Sequence, residues 1–215
     1  MRIALIGASG YVGAKLRDEA LQRGHQVVAI VRDPSKLLAI DGLTVKIADV
    51  YDSSQVAAAV AGSDVVLSAF SSAGEAEDVQ GKHLRASRAI VAGTKHAGID
   101  RLVVIGGAGS LFVSPGVQLV DTEAFPAEWK AGARGARDAL ADLQKESELE
   151  WTFVSPPPML VLGERTGKYE TGGDGVPPMR DGQPASISTD DLAVAVLDEI
   201  EKPKHHRQRF SVFGV

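Results

Sequence analysis

Short apolar runs recur along the first two-thirds of the chain, each followed by a longer stretch with apolar positions at helical spacing. "RIALIG" (2–7) reads as a buried strand, and "GYVGAKLRDEALQRG" (10–24) as a helix stopped by Gly24. "HQVVAIVR" (25–32) and "LTVKIADV" (43–50) are the next two strands, and "SSQVAAAVAGS" (53–63) is a helix closed by Gly62. "DVVLSAF" (64–70) and "RLVVIGG" (101–107) are strands four and five, separated by a long helix over 78–98. A further helix is expected over 123–147, and "LEWTFVSP" (149–156) is a sixth strand ending in Pro156. Strands that are continuous apolar runs, alternating with helices, belong to a parallel sheet covered on both faces. Right-handed crossovers make this a doubly wound, mainly parallel α/β sheet of Rossmann type. No linker divides the chain, so residues 1–215 are expected to form one domain.

The alternation lapses after residue 155. "PPPMLVLGERTGKYETGGDGVPPMRDGQPA" (156–185) is rich in proline and glycine, without periodicity. So long a loop in a compact domain is usually functional, and 155–186 is expected to cover a substrate. "SISTDDLAVAVLDEIEKP" (186–203) then gives an extended segment, an aspartate as N-cap and a helix ending before Pro203, and "RFSVFG" (209–214) is the last strand.

Composition narrows the function classes. With 215 residues the chain can bury a full core without cross-links. It has no cysteine, which excludes disulfides, thiolate metal sites and a cysteine nucleophile, and suits a reducing cytoplasm. A net charge of -5 gives no general attraction to nucleic acid, so the basic run "KPKHHRQR" (202–209) reads as a solvated loop. No apolar stretch approaches the roughly 18 residues of a membrane helix, and glycines interrupt the N-terminal run before a signal peptide could form. A cytoplasmic protein with no metal, membrane or nucleic-acid partner is expected.

The three glycines of "GASGYVG" (7–13) lie between the first strand and the first helix. In that context Gly7 allows a tight turn, Gly10 lets the backbone approach a pyrophosphate, and Gly13 lets helix and strand pack closely. Gly7, Ser9, Gly10, Tyr11, Val12 and Gly13 are therefore the expected phosphate cradle, aided by the free N–H groups of the helix start. After the second strand, "AIVRDPSK" offers Arg32 and Lys36, two cations suited to a 2′-phosphate. Asp33 is the contrary sign, because an acid there can hold free ribose hydroxyls. NADP is the expected cofactor, with NAD as the alternative. Asp49 and Val50 fall where the adenine is contacted; Ala69, Phe70, Gly107 and Pro156 end other strands, where ligands of open sheets bind.

Catalytic groups are harder to find. Short-chain dehydrogenases place tyrosine and lysine four residues apart on the helix after strand five, the lysine lowering the phenol pKa for proton transfer. That helix here reads "FPAEWKAGARGARDAL", with Trp129 and Lys130 but no tyrosine. Tyr11 and Lys15 match the spacing only by coincidence, inside the glycine loop. Lys130 and Ser110, the hydroxyl nearest strand five, are the remaining catalytic candidates. The five histidines do not fall at strand ends. Without a tyrosine, a flavin or quinone-like ring is the easier hydride acceptor, because it can take its proton from water.

Taken together, "MRIALIGASGYVG", "RGHQVVAIVRDPSKL", "VVIGGAGSL", "LEWTFVSPP", "GERTGKY" and "SISTDDLAVAVLDEIE" resemble the NADH-flavin reductase family of NmrA-like, atypical short-chain dehydrogenase/reductases. They are also similar to biliverdin reductase B-type flavin reductases. The resemblance spans essentially the whole chain and implies NAD(P)H-dependent reduction of a flavin held as substrate rather than as a tightly bound group. Pro156 to Pro158 would then floor the nicotinamide site, with Met159, Leu160 and Met179 as apolar contacts. NmrA-like relatives also include dinucleotide sensors without turnover. A reductase or epimerase of a specialised metabolite would instead need an acid or base such as Glu164, Asp174 or Lys130. The apolar stretch "LFVSPGVQLV" (111–120) either covers the planar acceptor or pairs two copies in a homodimer.

Overall fold

A computed structural model describes residues 1–73 and 77–215. Its elements in chain order are β1 (Arg2–Ile6), α1 (Gly13–Gln22), β2 (Gln26–Val31), β3 (Leu43–Ile47), α2 (Ser53–Val60) and β4 (Val65–Ser68). They continue with α3 (Val79–His96), β5 (Arg101–Ile105), β6 (Phe112–Ser114), β7 (Val117–Gln118), α4 (Ala127–Leu143) and β8 (Glu150–Ser155). The last are β9 (Met159–Val161), β10 (Tyr169–Gly172), β11 (Ser186–Ser188), α5 (Thr189–Glu201) and β12 (Gln208–Gly214).

Eight strands form the central sheet in the order β10-β12-β8-β5-β4-β1-β2-β3. All neighbouring pairs are parallel except β10 against β12. The apolar runs produce this arrangement because both faces of the inner strands are buried: residues 3–6 and 65–68 are sealed throughout. One core layer, with Ile3, Leu5, Val27 and Val154, packs under α1 and α5. The other, with Ala4, Ile6, Trp151 and Phe153, packs under α2, α3 and α4. The doubly wound, mainly parallel Rossmann-type fold expected from the sequence is the one observed.

Several expectations need correction. The segment 156–185 is not a featureless loop, since β9 pairs with β11 and β10 extends the main sheet. The apolar stretch 111–120 holds the β6–β7 hairpin. The helix expected over 123–147 is shorter, because Pro126 caps it and its φ-locked ring suits only a helix start. Helix α5 is capped by Ser188, whose hydroxyl accepts the Asp191 N–H at 2.9 Å, rather than by an aspartate. Nor is the basic run 202–209 simply solvated. His205 stacks on Phe210 at 4.1 Å, and the Arg209 side chain, 3% exposed, pairs with Asp174.

Candidate active site

The glycine loop leaves β1 through Gly7, whose φ of +81° is a left-handed conformation. A side chain there would also press on the Ala69 carbonyl at the end of β4, 2.7 Å from its Cβ. A Cβ at Gly13 would collide with the Gly7 carbonyl. These two glycines therefore shape the loop, while Gly10, exposed and only 3.2 Å from the same carbonyl, leaves its surface open. Helix α1 begins here with Val12 at its N-cap, so no side chain satisfies its first N–H groups. An open glycine cradle against an uncapped helix start fits a pyrophosphate.

A cavity of about 400 Å³ lies over this cradle, lined by Gly7, Ser9, Gly10, Tyr11 and Val12 from the loop. Arg32, Val50, Ala69, Phe70 and Ile105 complete much of its wall, so the ends of β1 to β5 converge on it, as expected for ligands of an open sheet. Gly13 lies buried beneath it and Asp49 outside it. The Asp49 carboxylate instead accepts the Tyr51 N–H at 3.0 Å. Lys36 is exposed on the following 3₁₀ turn and does not line the cavity. Asp33 caps that turn by accepting the Ser35 N–H at 3.0 Å, and this hydrogen bonding holds its carboxyl below the usual value.

A second cavity, about 710 Å³, opens beside the first, and both are walled by Phe70, Ser71, Ile105 and Gly106. Gly106 must be small: a Cβ there would strike the ring of Phe153. The second cavity is lined by Gly107, Phe125, Trp129, Met159 and Leu160, and by Pro156 to Pro158. Trp129, 60% exposed, stands on the rim of this cavity. Met179 does not line this cavity.

The two catalytic candidates lie elsewhere. Ser110 is 2% exposed, with its hydroxyl accepting from Arg209 Nη1 at 3.2 Å, and it reaches neither cavity. Lys130 is half-buried on α4 but does not line the wall that Trp129 and Gly132 form. The Tyr11–Lys15 spacing is indeed coincidental, since Lys15 Nζ is held by Asp190 at 3.0 Å. Glu164 does not line either cavity, nor does Asp174, which is bound to Arg209 at 2.6 Å.

Sequence reasoning passed over His83. It stands in the second turn of α3, is 9% exposed, and lines the larger cavity. Its ring lies 5.6 Å from that of Phe70, and burial lowers its pKa, so it is neutral at neutral pH. The glycines of "GARGARDAL" were the available signal. A Cβ at Gly135 would lie 2.6 Å from His83 Cβ, so the glycine lets α4 close over the histidine.

Comparison with known proteins places these features in a wider group. The NAD(P)H-binding family matches residues 7–203. The uncharacterized protein YwnB of Bacillus subtilis (strain 168) is 40% identical over 215 residues, 99% of this chain and 98% of YwnB. A proposed epimerase of Bacteroides thetaiotaomicron is 38% identical with a TM-score of 0.91, covering 100% of this chain and 97% of that one. A proposed NADH-flavin reductase of Streptococcus pneumoniae TIGR4 is 32% identical with a TM-score of 0.87, covering all of both chains.

Proposed function

The chain belongs to the NAD(P)H-binding family, and on that premise we propose that it is an NADPH-dependent reductase of a flavin, with a quinone-like ring as the alternative acceptor. The observation that carries this reading is the shared wall. A glycine-cradled cavity and a proline- and aromatic-lined cavity meet at Phe70, Ser71, Ile105 and Gly106. When bound, the nicotinamide supplies the hydride, and a conjugated ring accepts it without needing a protein acid.

The residues divide by task. Gly10 and the start of α1 hold the phosphates, and Arg32 grips a 2′-phosphate as only guanidinium can, bidentately. The engagement of Asp33 as a cap favours NADP over NAD, because that carboxylate is already occupied. Trp129, Phe125 and Met159 present flat or pliable apolar surface to a planar ring and exclude water from it. Orientation of two rings in one cleft is itself a large rate effect. Among the described residues no helix is long and apolar enough to cross a membrane, and the lack of cysteine suits a cytoplasmic enzyme. The name of the Streptococcus pneumoniae neighbour supports the flavin.

A dinucleotide sensor is the second reading, favoured by the absence of any tyrosine among the residues lining the larger cavity. Purified protein given NADPH with FMN, or with menadione, separates the readings. The reductase consumes NADPH only when an acceptor is present, and the sensor binds NADPH and consumes none.

A further inference from the structure

The larger cavity is apolar except for Ser71, His83, Glu128 and the indole N–H of Trp129. His83 is the buried one among the two ionisable side chains, Glu128 being exposed. Its tautomer follows from its neighbour. The Ser72 hydroxyl gives its single hydrogen to the Val79 carbonyl at 2.8 Å, so towards His83 Nδ1, 3.4 Å away, it can only accept. Nδ1 therefore carries the ring hydrogen, and Nε2 is left with a lone pair. Among the described residues Nε2 has no hydrogen-bond partner. Gly135 on one side and Phe70 on the other hold the ring in place.

An acceptor that opens onto an otherwise apolar cavity, unpaired among the described residues, suits a ligand that brings a donor. The two classes of planar acceptor differ on this point. The isoalloxazine of a flavin carries an imide N–H between two carbonyls. A simple quinone offers carbonyl oxygens and no donor. We propose that His83 Nε2 accepts a hydrogen bond from the imide N–H of the acceptor ring, making His83 the residue that selects a flavin over a quinone. This rests on the reductase reading for the identity of the site, but it concerns recognition and not turnover. A site built to pair a ligand N–H rejects the analogue lacking it more strongly than an apolar wall rejects a change of shape.

Equilibrium dialysis with NADP⁺ present compares lumiflavin with N3-methyllumiflavin, which lacks the imide hydrogen. The wild-type chain is expected to bind the methylated ring about tenfold more weakly. His83→Leu removes the difference by weakening lumiflavin alone, and His83→Gln, which keeps an acceptor oxygen at similar reach, restores it. In steady-state turnover the same loss falls on KM for lumiflavin, with kcat unchanged. Equal binding of the two flavins to wild type, or no binding of lumiflavin, overturns the assignment, and neither result depends on how the variants fold. Binding with the expected preference but no NADPH consumption would instead sink the reductase reading and leave the role of His83 standing.

Discussion

Arg165 reaches across to α1 and grips Glu19 at two points, Nε to Oε2 at 2.7 Å and Nη2 to Oε1 at 2.8 Å. The carboxylate is only 4% exposed, and Arg23 holds it from within the helix at 2.7 Å. Just beyond it, the Thr166 hydroxyl and the Gly167 N–H both donate to Asp191 at 2.7 Å, and the Tyr169 hydroxyl donates to Asp198 at 2.7 Å. The "GERTGKY" segment is thus a clasp that ties the chain between β9 and β10 to α1 and α5. None of its residues lines either cavity.

Removing the Glu19 charge takes the carboxylate from Arg165, while Arg23 keeps Asp198 and Glu201. Glu19→Gln is expected to lower stability by about 1–2 kcal/mol, measured by denaturant unfolding, because charge-assisted hydrogen bonds to a buried carboxylate are lost. Arg165→Ala should cost less, since Arg165 is half-exposed, but it should speed proteolysis within 162–185.

The same carboxyl sets an acid limit. The Arg165 hydrogen bond, helped by Arg23, outweighs burial and holds the Glu19 pKa below its ordinary 4.5. Its stabilisation is therefore complete above that value and disappears as the pH falls through the lower folded pKa. Unfolding free energies measured from about pH 6 downward should fall less steeply for Glu19→Gln than for wild type below about pH 4.5.

Gly10 and Gly13 should fail in different ways. Gly13→Ala meets the Gly7 carbonyl and should destabilise the fold itself, seen as a lowered Tm. Gly10→Ala makes a tight 3.2 Å contact that a small shift of the Gly7 carbonyl relieves, so its Tm should fall less than that of Gly13→Ala. Gly10 lines the cavity over the cradle, so added bulk there should lower dinucleotide affinity about tenfold or more by calorimetric titration.

Arg32→Ala tests the choice of nucleotide. Loss of a bidentate phosphate contact should raise the KM for NADPH about tenfold or more and leave that for NADH unchanged. An equal effect on both would remove Arg32 as a selector.

Trp129→Ala should raise the KM for FMN about fivefold, the worth of one aromatic contact, while dinucleotide affinity holds. A loss of NADPH affinity instead would move Trp129 to the other half of the cleft.

The sheet was legible because buried parallel strands are continuous apolar runs, as in "IALI" and "VVAIV", and each is followed by an amphipathic helix. The glycine loop was legible because backbone sterics leave few alternatives to glycine at positions 7 and 13. The larger cavity was not. His83 enters it through a helix interior, where sequence spacing gives no reason to distinguish it from a solvated histidine. The strands β9 and β10 were missed because runs of three and four residues are too short to show a period, and each is fixed by a partner distant in sequence, β11 and β12. Ser110 was misjudged for a related reason: position after β5 suggested the cleft, but Arg209, distant in sequence, turns its hydroxyl away.

An anaerobic mixing experiment with stoichiometric protein, NADPH and FMN follows the nicotinamide near-ultraviolet band and the visible flavin band together. Matched, simultaneous loss of both, faster with NADPH than with NADH, is the result expected of hydride transfer across the shared wall of the two cavities. Retention of both bands, by protein that binds NADPH and FMN at the same time, would contradict it.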